Sequence, residues 1–153
     1  MTGPLDGVTV IDVSAVISGP MAAQVLADQG ADVIKVEPIV MGDITRIGGF
    51  RVDDISAMYA SVNRGKKSVA LDLSQPDGVE VFHRLVADAD VLIQNFRPGA
   101  VDRMGIGAAA MLDLNPDLIY VSISGFGPSG PYHDGRVYDP IIQSVSGVVS
   151  IQQ

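Results

Sequence analysis

Short aliphatic, β-branched runs alternate with segments of mixed polarity along most of the chain. Gly7-Val-Thr-Val-Ile-Asp-Val13 is the first such run and predicts a buried strand that ends at Ser14. Gly19-Pro20 then opens a helix, because a proline in the first turn gives up an amide that has no helical partner. That helix is predicted over Met21 to Gln29 and stops at Gly30, a glycine suited to a left-handed end. Ala31-Asp-Val-Ile-Lys-Val-Glu37 reads as the next strand, so residues 7–37 predict strand–helix–strand with the crossover that a parallel pair needs.

From Pro38 to Asp54 the pattern is loop-like, followed by a short helix around Ile55–Val62 and a basic turn, Asn63-Arg-Gly-Lys-Lys67. Ser68 to Leu73 alternates and predicts a strand. Ser74 is expected to cap a helix opened by Pro76-Asp-Gly and running from Val79 to Ala87, with Val79, Phe82, Leu85 and Val86 on one face. A strand over Ala89–Asn95, a loop at Phe96-Arg-Pro-Gly99 and a helix through Val101–Met104 come next. A short helix at Ala108–Leu114, a strand at Leu118–Ser124 and a Gly/Pro-rich loop from Gly125 to Tyr132 follow. Strands alternating with helices predict an α/β fold whose mainly parallel sheet is covered on both faces. Ligands of such sheets gather beyond the carboxyl ends of the strands, where strand order switches. The loops to watch are therefore 14–20, 38–46, 95–99 and 125–139.

Composition narrows the function classes. Of 153 residues, 47% are hydrophobic and 18% charged, which predicts a folded domain rather than a disordered chain. A net charge of −8 argues against nucleic acid and anionic membrane surfaces as partners. The absence of cysteine excludes disulfides, thiolate metal sites and cysteine nucleophiles, and two isolated histidines give no metal-ligand spacing. With no 18-residue apolar run and no basic leader, the expected location is cytoplasmic. Few aromatics (5%) and no tryptophan predict an aliphatic core. The run from Ile141 to Gln153 is apolar and lacks a stop signal, so residues 1–153 are expected to be part of a longer chain. Its uncovered apolar edges would then drive the isolated segment to oligomerise or swap elements.

Some nucleotide-binding chemistries lack their motifs. The first post-strand loop, Ser14-Ala-Val-Ile-Ser-Gly-Pro20, contains no G-x-G-x-x-G. Gly65-Lys-Lys-Ser68 lacks the upstream glycine of a phosphate-binding P-loop and precedes a strand rather than a helix. Positive charge is nonetheless concentrated. Lys35, Arg46, Arg51, Arg64, Lys66 and Lys67 lie in or beside post-strand loops, as do Arg97, Arg103 and Arg136. Such a set can hold a phosphate-bearing anion, or it can be solvated loop charge. Asn95, Phe96 and Arg97 offer an amide, an aromatic face and a guanidinium suited to an adenine nucleotide; the plainer alternative is a turn with Phe96 in the core. His83 reads as structural on its helix. His133 beside Asp134 is a weak catalytic candidate, since adjacency in sequence does not make a dyad. Among carboxylates, Asp43 reads as a turn or cap, Asp12 and Asp32 as strand-end residues, and Asp139, after Tyr138, as the leading functional candidate against an Asp-Pro turn.

Several segments together resemble the class III CoA-transferases, the carnitine dehydratase and bile-acid-inducible protein F family. They are Pro4-Leu-Asp-Gly-Val-Thr-Val-Ile-Asp12, Ala31–Glu37, Gly42-Asp-Ile-Thr-Arg46, Asn63-Arg-Gly-Lys-Lys-Ser68, Leu71-Asp-Leu73, Asn95-Phe-Arg-Pro-Gly99, Asp102-Arg-Met-Gly105 and Ser124-Gly-Phe-Gly-Pro-Ser-Gly-Pro-Tyr132. Their order and spacing across nearly the whole chain make the resemblance specific, and the formyl-CoA transferase branch is the most similar in its motifs. The resemblance implies a Rossmann-like large domain, of which residues 1–153 are the N-terminal part, in a polypeptide of about 400 residues that forms an interlocked homodimer. It implies no tightly bound cofactor, with coenzyme A or acyl-CoA as substrate and a small carboxylic acid as its partner. By motif match the coenzyme would meet Ile17 and Ser18, then Leu71, Asp72 and Leu73, then Asn95, Phe96, Arg97 and Arg103, and finally Arg136, Val137 and Tyr138. Asp139 and Tyr138 would be auxiliary to catalysis. The nucleophilic aspartate, which in the family passes through an aspartyl-CoA thioester, is expected beyond Gln153, so the segment alone is expected to be inactive. Two departures argue against formyl or oxalyl specificity: the formyl-CoA branch has glutamine where Ile17 stands and a basic residue where Pro38 stands. The related α-methylacyl-CoA racemases place histidine where Tyr138 stands, and tyrosine, with a reference pKa near 10, is a poor proton shuttle, which favours transfer. A racemase and a non-catalytic coenzyme-binding or assembly segment stay open as alternatives.

Overall fold

The computed structural model describes residues 3–151; Met1, Thr2 and the last two residues of the apolar terminal run, Gln152 and Gln153, lie outside them. Five strands form one parallel sheet: β1 (Thr9–Asp12), β2 (Asp32–Glu37), β5 (Lys67–Ala70), β6 (Val91–Gln94) and β7 (Ile119–Ser122). Their order is β5-β2-β1-β6-β7, so the direction of travel switches between β1 and β6. The α/β class and the parallel sheet predicted from the alternating pattern are therefore present.

Strand alternation assigns side chains to two cores. Ile11 and Leu92 point to one face, where they meet Phe82 and Val86 of α3 (Pro76–Ala87), Val101 of α4 (Ala100–Arg103) and Met111 of α5 (Ala108–Leu114). Val10, Val33 and Ile93 point to the other face, against Ala23 of α1 (Ser18–Asp28). Covering both faces explains why these strands read as continuous apolar runs. Phe82 is the one aromatic among the buried core side chains; the rest are aliphatic or methionine, as the composition predicts. Gly30 takes φ +103° just after α1, the left-handed end anticipated for it. No helix among the described residues is long and apolar enough to cross a membrane.

Two local expectations are corrected. Residues 38–54 are not plain loop: they hold a 3-10 turn (Ile44–Arg46) and β3 (Arg51–Val52), which pairs antiparallel with β4 (Ile55–Ser56) ahead of α2 (Ala57–Asn63). Gln75, not Ser74, is the N-cap of α3. The Ser74 hydroxyl instead donates to Asp72 Oδ1 at 2.6 Å, because Asp72 also accepts the Ser74 amide and closes a tight turn two residues earlier. The terminal run forms α6 (Asp139–Val145) and a 3-10 turn (Val148–Ile151), neither with a buried residue.

Phe82 has no exposed surface and anchors the larger core. Phe82→Ala should therefore cost about 3–5 kcal/mol in urea unfolding. Val25→Ala, at a position 49% exposed on α1, should change stability by less than about 0.5 kcal/mol.

Candidate functional site

The carboxyl ends of β1 and β2 carry charges that the fold has removed from water. Asp12 is the last residue of β1 and lies beside Lys35 in the β1–β2 register. Both are almost fully buried, at 0% and 1% exposure. Isolated charges in such a place would cost several kcal/mol each, so each needs a partner in position. Asp12 Oδ2 receives the Lys66 ammonium at 2.7 Å and lies 3.7 Å from Lys35 Nζ. Lys35 reaches on to Asp43 Oδ2 at 3.1 Å. Lys66 also donates to the Pro20 carbonyl at 2.7 Å and to Asn63 Oδ1 at 3.0 Å. Burial pushes the Lys66 ammonium below the usual lysine range, despite the Asp12 carboxylate beside it.

A second cluster sits two residues beyond Lys35, at Glu37. Arg46 grips it with two bonds, Nε to Oε2 at 2.7 Å and Nη2 to Oε1 at 2.6 Å. Ser68 donates to Oε1 at 2.7 Å and the Asp43 amide to Oε2 at 2.9 Å. Burial alone would raise the Glu37 carboxyl, but the Arg46 fork, Ser68 and the Asp43 amide outweigh it and hold the pKa at about 2. The Arg46 guanidinium also stacks 3.8 Å over the Tyr59 ring. Burial, then the neighbouring Glu37 carboxylate, pushes the Tyr59 hydroxyl up to about 12, so it stays protonated and donates to Glu37 Oε1 at 3.1 Å.

These clusters fix the first post-strand loop. Lys35 donates to the Ser14 carbonyl at 2.8 Å. Asn95, just past β6, accepts the Ala15 amide at 2.9 Å and donates to the Ala15 carbonyl at 2.8 Å. Asp43 accepts the Val16 amide at 3.2 Å. Val16 is β-branched yet stands at φ +69°, a conformation that costs of order 1–3 kcal/mol. Gly19 completes the fit: a Cβ there would lie 2.2 Å from the Ser14 side chain.

Between this loop, the 38–44 segment and the loop after β5 lies a cleft of about 650 Å³. Leu71, Asp72, Leu73 and Phe96 line it, as do Pro38 through Ile44. Leu73 and Met104 continue into an adjoining groove that Arg103 and His83 border. Ile17 and Ser18 stand exposed at the start of α1, with Ser18 Oγ accepting from Asn95 at 3.2 Å. Arg97 and Arg103 are exposed and enter no ion pair among the described residues.

The remaining sequence candidates sort differently. Arg136, Val137, Tyr138 and Asp139 follow the edge strand β7 and do not line the cleft. Val137 packs against Gly125, and Asp139 opens α6, where Gln143 donates to it. Asn95 holds the Ala15 backbone through both ends of its amide, and half-buried Phe96 packs on the core while lining the cleft. Lys35, Arg46 and Lys66, read as anion-binding charge, are internal partners of Asp43, Glu37 and Asp12. Arg51, Arg64 and Lys67 pair at the surface with Asp54, Asp28 and Asp32. His83 bonds the Gly105 carbonyl at 2.9 Å, and exposed His133 does lie 3.1 Å from Asp134, the contact that adjacency alone did not predict. Asp43 is both the expected cap, accepting the Thr45 amide at 2.9 Å, and half of a buried ion pair. One signal for the missed pairs was present: a lysine flanked by Ile34 and Val36 inside a buried strand must meet a carboxylate.

Residues 5–153 match CoA-transferase family III. The chain is 45% identical over 147 residues to the acetyl-CoA:oxalate CoA-transferase of Acetobacter aceti, covering 96% of this chain and 38% of that protein. It is 46% identical over 155 residues to the succinate–glutarate CoA-transferase of Agrobacterium fabrum, covering 97% and 39%. The crystal structure of a CAIB/BAIF family protein from Brucella suis superposes with a TM-score of 0.94 at 40% identity, over 100% of this chain and 42% of that one. The chain thus spans about two fifths of the length of these relatives.

Because the folded pKa of Glu37 lies near 2, below its ordinary 4.5, its contribution to stability is complete above pH 4.5 and is lost as pH falls toward 2. The loss amounts to at most about 3 kcal/mol. Urea midpoints measured at steps through that window should fall steeply for the parent protein, and Glu37→Gln should remove this part of the slope. Equal slopes in both proteins would refute the coupling.

Proposed function

We propose, from the premise that this chain belongs to CoA-transferase family III, that the rim beyond β1, β5 and β6 is a coenzyme A surface of an acyl-CoA:carboxylate CoA-transferase. One observation carries the reading. A largely aliphatic cleft, in which Glu37 and Asp43 are neutralised by Arg46 and Lys35 and Asp72 is held by Ser74, opens beside exposed guanidinium groups that enter no ion pair among the described residues. Coenzyme A has a matching form: an anionic nucleotide end and a long, mostly apolar pantetheine arm. Arg97 and Arg103 supply forks for phosphate, and the walls from Leu71 to Leu73 and from Pro38 to Ile44 suit the arm. Ile17 and Ser18 present the start of α1 to the same rim. Arg136, Val137, Tyr138 and Asp139 enter the proposal through the family resemblance rather than through the cleft.

The similarity pattern supports assigning this stretch to the coenzyme. Relatives named for oxalate and for succinate and glutarate are 45% and 46% identical to it, so the acid they use leaves little mark here. In the proposed reaction, an aspartate outside residues 1–153 attacks the thioester carbonyl of acyl-CoA. A mixed anhydride forms and the CoA thiolate leaves. The thiolate then attacks the aspartyl carbonyl, releasing the first acid and leaving an aspartyl-CoA thioester. A second carboxylate attacks that thioester, and the displaced thiolate returns to the new acyl carbon, restoring the aspartate. The acids are small carboxylates. Residues 1–153 serve as the N-terminal part of the coenzyme domain. Exposed apolar side chains such as Val40, Phe50 and Ile151, at 88%, 77% and 80%, support burial against further polypeptide in a homodimer.

Arg97→Ala and Arg103→Ala should each weaken coenzyme A binding about tenfold, the size of one lost charge-assisted contact. The loss should shrink at high salt, and calorimetry at two ionic strengths checks both points. Unchanged affinity in both variants would remove the coenzyme from this rim. In the longer polypeptide, acyl-CoA with hydroxylamine should leave one aspartate as its hydroxamate, detected by peptide mass. If acyl exchange proceeds with no aspartate ever modified, the covalent route is wrong.

A further inference from the structure

We propose that Asp43, seated by Lys35 and Thr45, is a positioning residue that locks Val16 in its left-handed conformation and so presets the loop Ser14–Ser18 for coenzyme A. The inference rests on the functional reading of the rim. Its ground is the hydrogen-bond inventory of that loop. The Ser14 amide donates to Asp12 Oδ1 at 3.1 Å and the Ser14 carbonyl accepts from Lys35. Both backbone groups of Ala15 are held by Asn95. The Val16 amide is held by Asp43. Side chains from positions 12, 35, 43 and 95 thus converge on three consecutive residues of a surface loop.

Packing does not explain the backbone at Val16. Its side chain is 43% exposed, and a β-branched residue is the wrong type for φ +69°. What opposes relaxation is the bond to Asp43, whose carboxylate is itself fixed. Thr45 donates to it from the amide at 2.9 Å and from the hydroxyl at 2.8 Å, and Lys35 lies 3.1 Å away. Asp43 is 3% exposed, so water does not compete for it. Release of this bond lets Val16 return to negative φ and swings Ile17 and Ser18, which follow it directly. A loop already held in place spends no free energy on ordering when a ligand arrives.

Calorimetry with free coenzyme A on Asp43→Asn, Val16→Gly and the double variant tests the lock, beside amide NMR spectra of the unliganded proteins. Asp43→Asn should weaken binding about tenfold or more and shift the amide signals of residues 14–18, with those of β6 and β7 unmoved. Val16→Gly should bind within roughly threefold of the parent, since glycine holds positive φ without strain. Adding Val16→Gly to Asp43→Asn should recover most of the lost affinity. If Asp43→Asn is too unstable to study, Thr45→Val, which removes one of the bonds that seat Asp43, should show the same pattern at smaller size. Losses that multiply in the double variant overturn the lock, as do parent-like affinity and spectra in Asp43→Asn. A parent protein that binds no coenzyme A overturns the functional reading and the coenzyme half of the proposal. In that case loop signals unmoved by Asp43→Asn overturn the lock itself.

Discussion

Charge buried at the end of a parallel sheet is the constraint on which the rest depends. Helices cover both faces of this sheet, so its strand ends are where polar side chains can gather. Asp12 ends β1 and Lys35 lies beside it on β2, both with almost no exposure, and Lys66 and Asp43 close the set. Removing one member would strand a charge at a cost of about 3–5 kcal/mol, while the intact set adds little net stability. Its effect is on geometry. Each charge also holds a backbone group: Lys35 the Ser14 carbonyl, Lys66 the Pro20 carbonyl and Asp43 the Val16 amide. The neutralisation of the strand ends and the shape of the loops above them are one arrangement.

The same arrangement sorts the cations. Of ten lysines and arginines, seven enter salt bridges among the described residues, and Arg97, Arg103 and Arg136 do not. On a chain of net charge −8, those three stand out as positive positions without an acidic neighbour in contact. Arg97 and Arg103 flank the switch in strand order between β1 and β6, through the loop and helix that follow β6. That position is where an open parallel sheet offers the most room for a ligand. Field and topology thus favour the same place for an anion.

The strands and the longer helices were legible because both hydrophobic periods are strong: Val10 and Ile11 alternate between cores, and Phe82 and Val86 repeat at helical spacing. What was not legible depends on partners distant in sequence. The apolar neighbours of Lys35 point to a buried partner, but which carboxylate it meets is set only when β1 and β2 are in register and Asp12 falls beside it. The bond from Asn95 to the Ala15 backbone, 80 residues away, leaves no mark in the sequence either. The β3–β4 hairpin escaped because its two-residue turn is Asp53-Asp54, at φ +48° and +63°, in place of the glycine-containing pair that signals such turns. Ser74 was misassigned because Asp72 competes for its hydroxyl, and composition does not rank local rivals.

The apolar side of the rim follows from the polar side. Ile39, Val40 and Met41 are 58%, 88% and 52% exposed, an arrangement that a free loop would relax by folding the side chains inward. Their ends do not permit it. Glu37 is clamped by Arg46, Ser68 and Tyr59, and Asp43 by Lys35 and Thr45, so only five residues span two fixed points. Gly42, at φ +63°, makes the turn that such a short span demands. The apolar side chains are therefore held outward above the cleft, and Ile44, Ile47 and Phe50 extend the exposed apolar stretch along the chain. In the proposed transferase one segment thus has two tasks, walling the pantetheine arm and meeting further polypeptide. Both depend on the two ion pairs that keep its apolar side chains from collapsing onto the sheet.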